Sequence, residues 1–243
     1  MKDKKGGQIA AKKRHKEALS AAKDKRRKQP SLERAAPTLL ERQRILIVCE
    51  GENTEPSYFR KFKLSNATIK PIGEGYNTIS LVERALELAK HESYDQVWCV
   101  FDADPKPDNP TQAQNFNAAI QLAQRNKFGV AYSNQAFEYW LILHFEDHQG
   151  GPMNRKDYHI KLNGYLKEFG ITYDGKTNKI ICQEFFDLLW VVVTTKKGQP
   201  YTRTHYAIDR ARRNYSRFDH SNPAQNESST AVFLLVKELI KYM

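Results

Sequence analysis

Two places in the chain bring carboxylates to the end of an apolar run. Glu50 follows Ile45-Leu46-Ile47-Val48-Cys49, with Gly51 and Glu52 behind it, and Asp102 and Asp104 follow Val97-Trp98-Cys99-Val100-Phe101 with one alanine between them. Short continuous apolar runs of this kind predict strands buried on both faces, as in a parallel sheet. In an open α/β sheet, chemistry sits just beyond the carboxyl ends of the strands. If these two strands are neighbours, Glu50, Asp102 and Asp104 meet at one point. Clustered carboxylates repel one another unless a cation or a proton stands between them, so the pair of motifs predicts a divalent-metal site.

The elements that must position these groups can be read in order. The first strand covers residues 44–49. Thr54 is placed to cap a helix whose first turn holds Glu55 and Pro56, and Tyr58, Phe59 and Phe62 give that helix an apolar face. A second strand is expected over 68–72, a turn at Gly73-Glu74-Gly75 and an amphipathic helix over 78–91. The third strand runs over 96–101, and the proline-rich stretch 102–110 reads as a loop. A helix over 111–126, a strand over 128–133 and an apolar helix over 136–145 complete the alternation. Such an alternation implies a parallel sheet of about four strands with right-handed crossovers. After Gly150-Gly151-Pro152 the pattern changes. Residues 156–169, 178–193, 201–218 and 229–242 read as helices, with Val191-Val192-Val193 ambiguous between helix end and short strand. The expected organisation is a basic arm over 1–43, disordered or partly helical, an α/β domain over 44–150 and a mainly helical extension over 151–243 packed on the sheet.

Three segments together resemble the RloB-like protein family. They are Leu46 to Phe59 (Leu-Ile-Val-Cys-Glu-Gly-Glu-Asn-Thr-Glu-Pro-Ser-Tyr-Phe), Val97 to Asp104 (Val-Trp-Cys-Val-Phe-Asp-Ala-Asp) and Ser133 to Phe145 (Ser-Asn-Gln-Ala-Phe-Glu-Tyr-Trp-Leu-Ile-Leu-His-Phe), in that order and spacing. The resemblance implies a Toprim-like, Rossmann-type fold and a Mg²⁺- or Mn²⁺-dependent nuclease site. In such a site one Glu follows the first strand and an Asp-x-Asp follows the third, which here are Glu50, Asp102 and Asp104. It also implies a bacterial anti-phage setting, with a separate ATPase as a candidate partner. The two aspartates, on the same side of an extended segment, can share one ion or bridge two, and Glu50 can complete the shell or act as general base. Glu55 is either an additional ligand or a carboxylate favoured by the positive end of its helix. Ser133 and Asn134 either cap the helix that follows or contact a phosphate. Glu138, in an otherwise apolar helix, is a catalytic candidate or a buried hydrogen-bonding group. His144 reads as a packing histidine and Glu52 as solvated.

Charge is distributed unevenly. The net charge is +11 over 243 residues, and residues 1–43 hold fourteen Lys and Arg against five Asp and Glu, which leaves +2 for the rest. Within the arm, Lys12-Lys13-Arg14 and Arg26-Arg27-Lys28 are either solvated or contact the phosphates of DNA or RNA. In the helical half, Arg203 and Arg212, with Lys156, Lys161, Arg210 and Arg213, lie among Tyr201, Tyr206 and Tyr215. They form either a stacking and phosphate surface or a solvated helix face. Cys49, Cys99 and Cys182 have no metal-type spacing and read as small buried hydrophobes, which suits a reducing cytoplasm. No apolar stretch approaches a membrane span and no Gly-x-x-x-x-Gly-Lys-Ser/Thr occurs, so ATP dependence would come from another protein. The expected activity is phosphodiester cleavage. The alternative is a non-catalytic nucleic-acid- or partner-binding module whose acidic cluster is structural, and primer synthesis or nucleotidyl transfer ranks behind both.

Overall fold

The structure is a computed structural model and describes residues 12–21, 23–24, 43–71, 78–104 and 110–243. The chain divides into two units, 1–41 and 42–243. In the first, residues 12–21 form a helix (α1) with every side chain exposed, Lys12, Lys13 and Arg14 included. Arg26, Arg27, Lys28 and the Gly73-Glu74-Gly75 turn lie outside the described residues.

The second unit is built on a four-stranded parallel sheet in the order β2-β1-β3-β4. Its strands are β1 (Ile45–Cys49), β2 (Ala67–Pro71), β3 (Gln96–Asp102) and β4 (Gly129–Ser133). Every residue of β1 is buried. Ile45, Ile47 and Cys49 enter one core and Leu46 and Val48 the other, which is the alternation a strand covered on both faces requires. Helices α3 (Thr78–His91) and α4 (Pro110–Arg125) cover the Leu46 face with Leu81, Val82, Phe116 and Ile120. Helix α2 (Thr54–Arg60) covers the opposite face, where Tyr58 meets Phe59, Phe62, Phe137 and Phe186 edge-on at 5.3–5.6 Å. Gly129 stands opposite Trp98 in the register, and a Cβ there would run into the indole, so only glycine lets the two strands pair.

The crossover β1–α2–β2 leaves on one side of β1, whereas β2–α3–β3 and β3–α4–β4 return on the other. The topological switch therefore falls between β1 and β3, which pair directly from Ile45 opposite Gln96 to Cys49 opposite Val100. Neighbouring first and third strands are what convergence of the two acidic motifs needs.

The helical half packs on the Ile45 face and shares its core. It comprises α5 (Glu138–Ile142), α6 (Tyr158–Leu166), α7 (Gln183–Leu189), α8 (Arg203–Tyr215) and α9 (Val232–Ile240). Several expected boundaries move. Asn53, not Thr54, precedes α2, and Thr54 is its first helical residue. The expected helix 136–145 contracts to α5, because tight bonds such as Tyr139 N to Ala136 O (3.0 Å) and His144 N to Leu141 O (3.2 Å) flank it. The expected helix 178–193 ends at Leu189, and a hairpin follows, β5 (Val192–Lys196) with β6 (Gln199–Thr202). Val-Val-Thr-Thr is β-branched, and Lys197 (φ +50°) and Gly198 (φ +78°) supply the two left-handed positions of a tight hairpin turn. Residues 229–231 are not helical. They lie antiparallel against β4, with Asn134 N on Ser229 O (3.0 Å) and Ala231 N on Tyr132 O (2.7 Å), and cover the exposed edge of the sheet.

His144 is a core residue. Its Nδ1 lies 3.0 Å from the Trp140 carbonyl, its ring meets the Trp140 indole at 4.8 Å, and Nε2 has no protein partner. Burial pushes its pKa down from 6.5 to about 3. The unfolded chain therefore takes up a proton that the folded chain refuses, and stability falls as pH drops below the unfolded value. Between about pH 6.5 and about pH 5, chemical denaturation should show the wild type losing ~2 kcal/mol more than His144→Leu. Parallel pH profiles would contradict this placement of the imidazole.

Candidate functional site

A cleft of about 200 Å³ opens at the carboxyl ends of β1 and β3. Glu50, Glu55, Asp102, Asp104 and Glu138 line it, with Arg155 and Lys179 as its cations. The structure thus brings together every acidic residue that the sequence nominated as ligand or catalyst. Glu52 also borders the cleft and is exposed.

The carboxylates are placed by backbone amides and by side chains. Glu50 N donates to Val100 O across the strand ends (2.9 Å), and Glu50 Oε2 accepts the Asp102 amide (3.1 Å). Asp102 Oδ2 accepts the amide of Phe137 (3.1 Å), just before α5. Asp104 takes a left-handed backbone (φ +38°), which aspartate tolerates, and its Oδ1 accepts from Arg155 Nη1. Glu55 is buried, and its carboxylate lies against Gly51, where a Cβ would strike it. Glu55 both faces the cleft and sits in the first turn of α2 with its carboxylate toward its own backbone amide, so the geometry is compatible with a ligand and with a carboxylate favoured by the positive end of its helix. Glu138 Oε1 accepts the Tyr173 hydroxyl (2.9 Å), and that oxygen is 3.3 Å from Thr54 Oγ1.

The electrostatics follow from this crowding. Burial, then repulsion from Glu55, Glu50 and Glu138, raises the Asp102 pKa well above the usual carboxylate range, while Arg155 opposes the shift. Burial likewise pushes Glu55 up to about 7, with Glu138 and Glu50 adding to the shift and its own backbone amide and Lys179 opposing it. Burial works against the charge of Arg155, but Asp104 and Asp102 outweigh it and hold the guanidinium above its ordinary value. As they stand, the carboxylates are turned to amides and to Arg155. Among the described residues no three Asp, Glu, His or Cys side chains are drawn tightly enough together to hold an ion without rearrangement. The donor set itself is all oxygen, with more carboxylates than cations among the described lining residues, and suits a hard divalent cation.

Other nominated residues lie elsewhere. Ser133 and Asn134 are buried. Ser133 Oγ is 3.1 Å from Thr230 Oγ1, and Asn134 Nδ2 donates to the carbonyls of Pro223 (3.2 Å) and Ala224 (3.0 Å). They fasten the C-terminal segment to the edge of the sheet and offer no surface for a phosphate. Arg203 lies 5.5 Å from the ring centres of both Phe145 and Phe169, and Arg212 pairs with Asp209 at 3.0 Å. Neither lines the cleft. Three residues that do matter here escaped the sequence reading, Arg155, Lys179 and Tyr173. Gly150 and Gly151 (φ +94° and +95°), read only as a boundary, turn the chain, and Asn154 then caps the short turn that carries Arg155.

Fold and cleft define an open parallel α/β protein with an acidic site at its topological switch point. The chain belongs to the RloB-like protein family, whose model matches residues 45–239. No curated protein and no solved structure matches it. Among the described residues no helix is long and apolar enough to cross a membrane.

The raised pKa of Glu55 has a consequence for stability. A folded value above the unfolded 4.5 means that the contribution present below about pH 4.5 is lost as pH rises through about 7. In metal-free buffer at about pH 8, Glu55→Gln should therefore be more stable than the wild type, by on the order of 3 kcal/mol at most. The gain should vanish near about pH 4. Equal melting temperatures at both pH values would show that Glu55 is not held in a repulsive site.

Proposed function

We propose that this chain is a divalent-metal-dependent nuclease of the Toprim type that hydrolyses phosphodiester bonds in DNA or RNA, in a bacterial anti-phage setting. The observation that carries the reading is the pairing of β1 with β3, which sets Glu50 beside Asp102 and Asp104 in one cleft. Glu50, Asp102 and Asp104 would hold one or two Mg²⁺ or Mn²⁺ ions, with Glu55 behind them. Such an ion supplies Lewis-acid charge stabilisation and a more acidic bound water. The chain's own groups do the remaining work. Glu138 carries the Tyr173 hydrogen bond on Oε1, which orients its other oxygen to take a proton from the attacking water. The oxygen of water bonds to phosphorus and one P–O ester bond breaks. The products are a phosphate monoester and a free hydroxyl, and the departing oxygen receives a proton. ATP dependence, if present, belongs to a separate ATPase partner.

One observation favours a second reading, a nucleic-acid- or partner-binding module without catalysis: the carboxylates already have amide and guanidinium partners. Calorimetry with Mn²⁺ separates the two. Binding supports the metal site, and its absence at millimolar concentration together with salt-dependent nucleic-acid binding supports the module.

On labelled single- and double-stranded DNA and RNA with Mg²⁺ or Mn²⁺, Glu50→Ala, Asp102→Ala and Asp104→Ala should each lower cleavage at least about 100-fold. Activity surviving in all three would overturn the mechanism. Removal of residues 1–43 should weaken nucleic-acid binding and reduce the slope of log K against log salt by about 0.9 per lost contact with duplex DNA. An unchanged slope would show that the arm makes no phosphate contacts.

A further inference from the structure

Arg155 is the cation that most directly contacts the acidic cleft. It comes from the turn Arg155–Asp157, outside the sheet, and its Nη1 donates to Asp104 Oδ1. The side chain is 39% exposed and that of Asp104 34%, so the pair sits at the mouth of the cleft, where a long side chain has room to move. Asp102 lies close enough to bear on the same guanidinium. The pairing covers an oxygen of one of the residues that would hold the metal. A guanidinium and a divalent cation compete for the same carboxylate, and a displaced guanidinium beside a phosphodiester has a fork of donors that matches two phosphate oxygens.

We infer that Arg155 is an exchange residue, paired with Asp104 in the free protein and transferred to the substrate phosphate when Asp104 turns to the metal. The inference rests on the metal-dependent reading above and adds to it a further substrate-contacting residue and a coupling between metal and phosphate binding. Arg155 closes the acidic cleft while no metal is present, which limits the repulsion among Asp102, Asp104 and Glu138. Once displaced, it adds to Lys179 a second positive charge for drawing phosphate toward carboxylates. Metal and nucleic acid then favour each other's binding through one side chain, in addition to any direct contact between them.

Two readouts other than cleavage test this on the full chain. Arg155→Gln removes the competing charge, so Mn²⁺ titrated calorimetrically should bind at least about fivefold more tightly than to the wild type. The same variant should bind a fluorescent single-stranded oligonucleotide in Ca²⁺ at least about fivefold more weakly, with less of the enhancement that Ca²⁺ gives the wild type. Asp104→Asn frees Arg155 without a metal, and should raise metal-free oligonucleotide affinity above that of the wild type, a gain that a folding defect would not produce. If the wild type binds Mn²⁺ but Arg155→Gln binds it equally or more weakly, or if Asp104→Asn leaves metal-free affinity unchanged, the exchange is wrong and the metal site stands. If the wild type binds no Mn²⁺ at millimolar concentration, the metal site and the exchange fall together.

Discussion

The contact between the carboxyl ends of β1 and β3 is the constraint on which the rest depends. Glu50 donates its amide to Val100 O and accepts the Asp102 amide on its carboxylate, so the two acidic motifs are tied by one bond between backbones and one from backbone to side chain. The direct neighbourhood of first and third strands is what an open sheet produces where its crossovers change direction. It is also unfavourable in isolation. Asp102 and Glu55 are pushed toward protonation by burial and by neighbouring carboxylates, Glu55, Glu50 and Glu138 acting on Asp102 and Glu138 and Glu50 acting on Glu55.

The helical half reads in this light as the support of the cleft. It closes the Ile45 face with Phe185, Phe186, Leu189 and the apolar stripe of α9, so the face carrying α2 and α5 is dry. It also delivers the polar groups that the sheet cannot. Tyr173 reaches Glu138 and Thr54, Arg155 reaches Asp104, and Lys179 faces Glu55. The segment 222–231 returns to the β4 edge of the sheet. There Asn117 binds Ala224 N (3.0 Å) and Asn222 Oδ1 (2.7 Å), Asn134 binds Pro223 and Ala224, and Thr230 pairs with β4. That closure protects an edge strand, and Ser133 and Asn134 serve it.

Two cations of α8 have structural partners. Arg210 donates to the Leu143 carbonyl (2.8 Å), and Arg213 to Asp147 (2.6 Å) and the His148 carbonyl (2.9 Å). These arginines hold the loop that leaves α5. Lys196 lies over the rings of Tyr201 and Tyr206 at 3.7 and 4.8 Å, which uses the same aromatic faces that a nucleic-acid base would stack on.

The sequence by itself determined the parts whose signal is local. The apolar run Ile45–Cys49 marks a buried strand, the amphipathic pattern over 78–91 marks a helix with one face on a core, and a carboxylate one residue past a strand sits at its carboxyl end. Those signals also carried Glu50, Glu55, Asp102, Asp104 and Glu138 into one expected site. Tertiary structure alone decided what depends on partners distant in the chain. Spacing within 133–145 cannot show that Ser133 meets Thr230, nor can a Gly-Gly-Pro break show that Arg155 comes back to Asp104. The valine run after α7 becomes a hairpin because Lys197-Gly198 can make the turn and no core lies against Val192 or Val193, which are about half exposed. Side chains that contact residues fifty or more positions away leave no periodic mark, because their choice of partner is made by packing and charge in three dimensions.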